Sequence, residues 1–141
     1  MSQENVEIVR RAFDAFNQDG ADAFTSTGLW SPELVLDASG TGIPGVGIYR
    51  GIDEVKAFFE QDWFEAFPFG EWEVAVVGEM SDHGDQVFAM SRQHGRGARS
   101  GAGAGAELEL ANIFTLHDGV ITRTDMYRDR DEALEAAGLS E

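Results

Sequence analysis

Residues 107–128, ELELANIFTLHDGVITRTDMYR, decide the fold of this chain. Apart from Asn112, apolar side chains occupy every second position in the first half of the segment, which predicts a strand over Glu107–His117 with one apolar face. Asp118-Gly119 is a residue pair typical of a tight hairpin turn, and Val120–Arg128 is predicted as the returning strand. The segment therefore predicts two antiparallel strands that cover a core with one face.

The residues before this hairpin predict two further strands. Trp72, Val74 and Val76 alternate with more polar neighbours, and a turn at Ser81–Asp85 leads to a second long strand over Gln86–His94. The segment Gly95–Ala106, GRGARSGAGAGA, then lies between two strands, which predicts a long flexible hairpin connection. Its glycine spacing fits no phosphate-binding loop that leads from a strand into a helix. Together these strands predict an antiparallel meander.

The first half of the chain has the spacing of amphipathic helices. Residues 4–18 place Val6, Val9, Phe13 and Phe16 on one stripe, which predicts a helix. Two short helices are predicted over Ala21–Thr27 and Asp129–Gly138, and a longer helix over Ile52–Phe67, which Pro68 ends. Between the early helices and this longer one, the sequence predicts a strand over Leu34–Ala38 and an irregular loop over Ser39–Gly51.

Helices followed by a run of strands predict the α+β class, with helices on one face of a curved antiparallel sheet. A length of 141 residues predicts one domain, residues 1–141. A twisted sheet that wraps over a long helix leaves a cone, which its own side chains need not fill. Such a cone is a natural pocket for a small molecule.

Composition excludes several classes of function. The chain has 26 acidic and 10 basic residues, and a net charge of −16 repels nucleic acid and anionic membranes. No apolar run is long enough to span a membrane, and the N-terminus lacks the order of a signal peptide, so we predict a soluble, cytoplasmic protein. The absence of cysteine excludes a disulfide framework, a thiolate metal site and a cysteine nucleophile.

Three segments resemble the nuclear transport factor 2-like superfamily, in its SnoaL-like branch. They are residues 4–24, ENVEIVRRAFDAFNQDGADAF, residues 49–61, YRGIDEVKAFFEQ, and residues 115–139, TLHDGVITRTDMYRDRDEALEAAGL. The resemblance implies a cystatin-like, cone-shaped fold over nearly the whole chain. It leaves the activity open, because the superfamily includes ketosteroid isomerases, limonene-epoxide hydrolases, polyketide cyclases, dehydratases and non-catalytic binding domains.

The resemblance implies a role for Asp37. In isomerases of this fold an aspartate at the end of the first strand shuttles a proton, and PELVLDASG at residues 32–40 places Asp37 at that position. Burial in an apolar cone would raise the pKa of such a carboxyl and suit it to general base catalysis. The alternative is a strand-end aspartate that hydrogen-bonds loop amides beside a glycine.

Asn112 is the lone polar residue on the apolar face of its predicted strand. A buried amide must be hydrogen-bonded, so Asn112 either bonds to another buried group of the protein or is available to bond to a ligand. If a turn is allowed to differ in length by one residue, the resemblance places Asn112 where the isomerases hold the protonated aspartate of the oxyanion hole. Asn112 would then donate a hydrogen bond to a carbonyl oxygen.

At the other family positions the sequence departs from the pattern. The tyrosine of the isomerases is replaced by Ala12, which leaves Tyr49 and Tyr127 as candidate replacements. The acidic residue that cyclases and epoxide hydrolases hold in the last strand is replaced by Met126, beside Tyr127. Arg92 and His94 stand near the hydrolase Arg-x-Asp position and could bind an anionic group of a substrate.

Two hypotheses follow. The first is a SnoaL-like homodimer, paired through the exposed sheet face, that binds a small hydrophobic molecule near Asp37, Asn112 and Trp63. If it is an enzyme, we expect a cofactor-free isomerase, cyclase or dehydratase with Asp37 as base and Asn112 polarising a carbonyl. The second is a non-catalytic ligand-binding or protein-interaction domain of the same fold. The three histidines show no metal-binding spacing, so neither a metal nor a cofactor is expected.

Overall fold

The computed structural model describes residues 2–66, 71–95 and 108–138. The strands of these ranges form one six-stranded sheet. Its six strands are β1 (Trp30–Gly40), β2 (Ile48–Arg50), β3 (Trp72–His83), β4 (Gln86–Gly95), β5 (Leu108–His117) and β6 (Val120–Tyr127). They lie in the order β2-β1-β6-β5-β4-β3. The α+β class and the curved sheet over N-terminal helices are therefore confirmed.

The helices are short after the first one. They are α1 (Ser2–Asp19), a 3-10 turn (Gly20–Asp22), α2 (Ala23–Ser26), α3 (Ile52–Phe58), a π-helical turn (Phe59–Trp63), α4 (Phe64–Ala66) and α5 (Arg130–Ala136). The predicted ends of the third helix at Phe67 and Pro68, and nearly all of the predicted Gly95–Ala106 connection, lie outside the described residues. No helix of the described ranges is both long enough and apolar enough to cross a membrane.

The hairpin of β5 and β6 forms where the sequence predicts it. Asp118 and Gly119 have φ angles of 52° and 79°, the left-handed pair that a tight two-residue hairpin turn requires. The register pairs Phe114 with Thr124 and Asn112 with Met126. Alternate positions of these two strands therefore share one face of the sheet.

Two features of the sheet correct the prediction. β1 pairs with β6 in parallel, so the sheet is mixed and the prediction of a wholly antiparallel sheet is wrong. The predicted loop Ser39–Gly51 contains a strand, β2, which pairs antiparallel with β1. Both pairings join residues that sequence periodicity alone does not connect, and β2 is too short to show alternation.

The sheet buries apolar residues on both faces. α1 contacts β3 and β4, and α3 contacts β1, so these helices cover the larger core on one face. α5 contacts β5 and β6 and packs Ala133 against Phe88, Ala111 and Ile113 in a second cluster. The C-terminal helix thus lies on the opposite face from the N-terminal helices, a correction to the prediction that all helices share one face.

Candidate functional site

A cavity lies between the N-terminal helices and the larger-core face of the sheet. Its empty volume is about 650 Å³, including the open mouth. Because this figure also counts open solvent at the mouth, the lining residues describe the cavity better than its volume does. We call the sheet face that borders it the inner face and the other side, where α5 packs, the outer face.

Apolar side chains form most of the cavity wall. The aromatic members are Phe13, Phe16, Phe24, Trp30, Phe59, Trp63 and Phe114, and the aliphatic members are Ala12, Leu34, Leu36, Val55, Val74, Leu110 and Met126. Val55, Phe59 and Trp63 follow one another at intervals of four residues, which places them on one side of α3 and the π-helical turn. Phe59 packs edge-on against Phe16 at 5.3 Å between ring centroids, so the helices share one aromatic layer.

Four polar side chains complete the wall: Ser91 and Gln93 on β4, Asn112 on β5 and Thr124 on β6. All four are buried, at 4–5% exposure. They belong to three adjacent strands and form a polar strip across the inner face. Among the described lining residues none carries a carboxylate, an imidazole, an amine or a guanidinium.

The Asn112 amide is held by the sheet itself. Its Nδ2 donates to the carbonyl oxygens of Ala89 at 3.0 Å and Leu110 at 3.3 Å, and to Ser91 Oγ at 3.0 Å. The alternation that predicted Asn112 on the apolar face is thus correct about its position. The expected donor role does not follow, because these neighbours already take the amide hydrogens.

Two polar groups at the wall are sealed from solvent. Thr124 Oγ1 and Trp30 Nε1 are buried and have no hydrogen-bond partner in the described parts of the chain. A buried polar group without a partner costs roughly 1–3 kcal/mol. These two groups therefore lower the stability of the fold. Both lie near Phe114, which is opposite Thr124 in the β5–β6 register and whose ring centroid is 6.4 Å from that of Trp30.

Asp37 does not line the cavity. Leu34, Leu36 and Ala38 are buried on the inner side of β1, and Asp37 alternates with them onto the outer face. Its Oδ1 accepts hydrogen bonds from the backbone N–H of Ser39 at 3.1 Å and from Ser39 Oγ at 2.6 Å. The expectation that Asp37 shares a cavity with Asn112 is wrong, and the alternative role, an aspartate that caps the end of its strand, describes its contacts.

An ion-pair cluster surrounds Asp37 on the outer face. Arg123 donates to both carboxylate oxygens of Asp125 at 3.0–3.1 Å and to Asp37 Oδ2 at 3.3 Å. The hydrogen bond to Asp125 raises the pKa of the Arg123 guanidinium above its ordinary value, and the charge of Asp37 adds to this effect. These partners hold the Asp37 carboxylate away from the cavity.

Arg92 and His94 also lie on the outer face, opposite the buried Ser91 and Gln93 of the same strand. Arg92 forms an ion pair with Glu109 at 2.6 Å, and His94 Nε2 lies 3.5 Å from a carboxylate oxygen of Glu73. Each basic side chain thus faces an acidic one on a neighbouring strand. Arg92 and His94 do share one face of β4, as an anion-binding pair would, but neither of them lines the cavity.

The remaining predicted residues divide between the two faces. Trp63 and Met126 line the cavity. Tyr49 stacks on Phe58 at 4.4 Å, and its hydroxyl accepts a hydrogen bond from the Gly47 N–H, outside the cavity wall. Tyr127 packs against the second core cluster on the outer face. Neither tyrosine therefore occupies the position of a second oxyanion donor.

Ser91, Gln93 and Thr124 are cavity residues that the sequence analysis missed. The alternation that singled out Asn112 also places Ser91 and Gln93 on the face of Val87 and Ala89, so the signal was present. The alternation of β1 likewise places Asp37 opposite Leu36. Thr124 carried no such signal, because a register shift between β5 and β6 breaks the pattern.

No group of three or more His, Asp or Glu side chains is placed to hold a metal ion within the ranges that the structure describes. The carboxylates near the candidate residues are engaged with Arg123, Arg92 and His94.

A comparison with protein families matches residues 9–124 to the SnoaL-like domain. The chain belongs to the SnoaL-like domain family. A search of curated protein sequences finds no match to this SnoaL-like chain.

Solved structures share the fold of this SnoaL-like chain. A protein of Jannaschia sp. CCS1 named as a SnoaL-like polyketide cyclase is 24% identical, with a TM-score of 0.64 and coverage of 99% of this chain and 94% of that one. TerC, crystallised with polyporic acid, is 21% identical, with a TM-score of 0.67 and coverage of 96% and 97%. A Kribbella flavida DSM 17836 protein named as a ketosteroid isomerase is 13% identical, with a TM-score of 0.65 and coverage of 91% and 79%.

Proposed function

We propose that this protein binds a small, uncharged and largely apolar molecule in the cavity. The observation that carries the proposal is the wall itself, in which no described lining side chain is charged although the chain has 26 acidic residues. Taking an ion out of water without a partner is costly, so such a wall selects against charged ligands. Asn112, Met126 and Trp63 are the predicted contact residues that this site retains.

The family and its relatives support a small-molecule site. TerC, which has the same fold, was crystallised with polyporic acid. Cofactor-free isomerase, cyclase or dehydratase activity is the second candidate, which the names of the relatives from Kribbella flavida and Jannaschia favour. It would require a proton-transfer group, and Asp37 lies on the outer face. A homodimer through the sheet face and a cytoplasmic location stay predictions.

Binding can be tested with Nile red, a neutral dye whose fluorescence rises in apolar surroundings. We expect saturable binding at one site per chain. Ala12 lines the cavity from α1, and Ala12→Leu adds three carbons to the wall, which should weaken dye binding by at least about tenfold. Ala15 lies on the same helix but not at the cavity, so Ala15→Leu is the matched control and should bind as the wild type does.

Asp37→Asn tests whether the dye site is confined to the cavity wall, to which Asp37 does not belong. In a binding site confined to the cavity, this variant binds the dye with unchanged affinity, because its side chain lies on the outer face. The proposal fails if wild-type protein gives no saturable dye signal. It also fails if Ala12→Leu, shown by circular dichroism to be folded, binds as tightly as Ala15→Leu.

A further inference from the structure

We infer that the cavity recognises a hydroxyl group on its ligand, with Asn112 Oδ1 as the accepting atom. The inference rests on the proposed function, because it specifies the ligand chemistry of the same cavity. It departs from an oxyanion role, in which Asn112 would donate to a carbonyl oxygen.

The orientation of the Asn112 amide is fixed by its surroundings. Nδ2 lies within hydrogen-bond distance of two backbone carbonyl oxygens, those of Ala89 and Leu110. Exchanging the positions of nitrogen and oxygen would set Oδ1 against both carbonyl oxygens with no hydrogen between them. The amide nitrogen has two hydrogens and three acceptors around it, so it has none left for a ligand.

The Asn112 oxygen is in the opposite situation. Oδ1 accepts no hydrogen bond from any residue that the structure describes. It also differs from the sealed Thr124 Oγ1, because it keeps solvent-accessible surface. Since Asn112 is 4% exposed and lines the cavity, that surface faces the cavity. The atom that Asn112 offers a ligand is therefore an acceptor.

Ser91 complements this acceptor. Its Oγ receives a hydrogen bond from Asn112 Nδ2 at 3.0 Å, which leaves its own hydrogen without an acceptor among the described residues. An acceptor beside a donor matches a hydroxyl group, which donates and accepts at one oxygen. A carbonyl or ether oxygen could use Ser91 but would turn its lone pairs toward Asn112 Oδ1. The ligand class is therefore an alcohol or phenol on an apolar frame.

The test uses 2-naphthol and 2-methoxynaphthalene, which differ in a hydrogen-bond donor. Binding is measured by displacement of Nile red and by isothermal titration calorimetry. We expect wild-type protein to bind the naphthol at least about fivefold more tightly, the effect of one hydrogen bond of about 1 kcal/mol. Asn112→Leu should remove this preference, and Ser91→Ala should weaken both compounds. Thr122→Val is the control, because Thr122 lies on the same strand as Thr124 but not in the cavity wall, and it should keep the preference.

The outcomes distinguish the inference from the function on which it rests. Equal affinity of wild-type protein for the two compounds, or a preference for the ether, overturns the hydroxyl assignment while cavity binding stands. A preference that survives in Asn112→Leu overturns the role of Asn112. Failure of the dye and both naphthalenes to bind removes the proposed function and the inference together. The wild-type comparison needs no substitution, so it decides the ligand class even if Asn112→Leu does not fold.

Discussion

Gly40 shows how closely the backbone of β1 approaches β6. A Cβ built at Gly40 would lie 2.5 Å from Tyr127 Cδ2 and 2.8 Å from the carbonyl oxygen of Met126. Side chains do not fit at such distances, so this position requires glycine for space. The contact places the Tyr127 ring over the end of β1, beside the ion-pair cluster of Asp37, Arg123 and Asp125.

The pKa of the Tyr127 hydroxyl differs between the folded and the unfolded chain. Burial raises the pKa of the Tyr127 hydroxyl above its ordinary value of 10.0, and the negative charges of Asp125 and Asp37 add to the effect. The folded chain therefore holds this proton to higher pH than the unfolded chain does. The resulting stabilisation is fully present below about pH 10 and is lost as the pH rises through the folded-state pKa.

Tyr127→Phe keeps the ring over Gly40 and removes the titrating hydroxyl. Between about pH 8 and about pH 11 we expect the urea midpoint of the wild-type protein to fall more steeply than that of this variant. Between about pH 6 and about pH 8 the Tyr127 hydroxyl stays protonated in the folded and unfolded chain, so over that range the difference between the two urea midpoints should stay constant, which is the control. Identical slopes for wild-type protein and Tyr127→Phe would contradict the prediction.

At the scale of elements, α1 is tied to the edge strand β3 by one side chain. Asn17 Nδ2 donates to the carbonyl oxygen of Val74, and Asn17 Oδ1 accepts from the Val74 N–H, both at 2.8 Å. This amide pairs with the strand as a neighbouring strand would. It satisfies backbone groups that an edge strand otherwise leaves open to other chains. Because Val74 lines the cavity, the same contact fixes one of its walls.

Asn17→Ala removes both hydrogen bonds of this contact. We expect the free energy of unfolding to fall by about 1–2 kcal/mol, since each bond contributes about 1 kcal/mol and alanine returns part of the loss through its helix propensity. Gln18→Ala changes an exposed neighbour on the same helix and should have little effect. Urea unfolding measures the energies, and faster hydrogen exchange at the Val74 amide locates the change. If Gln18→Ala lowered the free energy of unfolding by as much as Asn17→Ala, the proposed role of the Asn17–Val74 hydrogen bonds would be wrong.

The C-terminal helix depends on its cap and on one small residue. Asp129 accepts a hydrogen bond from the Glu132 N–H at 3.0 Å, the contact of an N-terminal capping residue. Ala133 is fully buried against the outer face of the sheet. The sequence predicts this helix from its apolar spacing. It does not show which face of the sheet receives it, because β5 buries apolar residues on both faces.

At the scale of the whole molecule, the charged side chains lie apart from the described cavity wall. The chain has a net charge of −16, while the described cavity wall holds no charged side chain. Arg92, His94 and Arg123 face acidic partners on the outer face. The acidic surplus therefore acts on stability as repulsion across the surface, and the described cavity wall stays uncharged.

Salt should stabilise a molecule with such a surplus. From about 10 mM to about 1 M potassium chloride the Debye length falls from about 30 Å to about 3 Å, so repulsion between distant carboxylates is screened. We expect the thermal midpoint to rise over this range, most of it below about 0.2 M, where screening changes fastest. Neutral sucrose at equal osmolality controls for solvent exclusion. A midpoint that falls on adding salt would mean that the surface ion pairs outweigh the repulsion.

Much of the fold and part of the site could be predicted from local pattern. Alternation predicted β5, its turn to β6 and the inward position of Asn112, because strand side chains alternate whatever the neighbouring strand is. Helical spacing placed Trp63 toward the sheet. The parallel pairing of β1 with β6 was not predictable in this way, because it joins residues about 90 positions apart.

The sequence by itself determined the α+β class, the order of the elements other than β2, and the residues that share a face of β4 and of β5. The tertiary structure alone decided that the cavity stays open, that Arg123 and Ser39 engage Asp37 on the outer face, and that Ala89, Leu110 and Ser91 take the amide hydrogens of Asn112. The physical reason is that periodicity fixes the direction of a side chain within its own element. Its hydrogen-bond partners come from strands distant in sequence, and those partners determine what a polar group has left to offer a ligand.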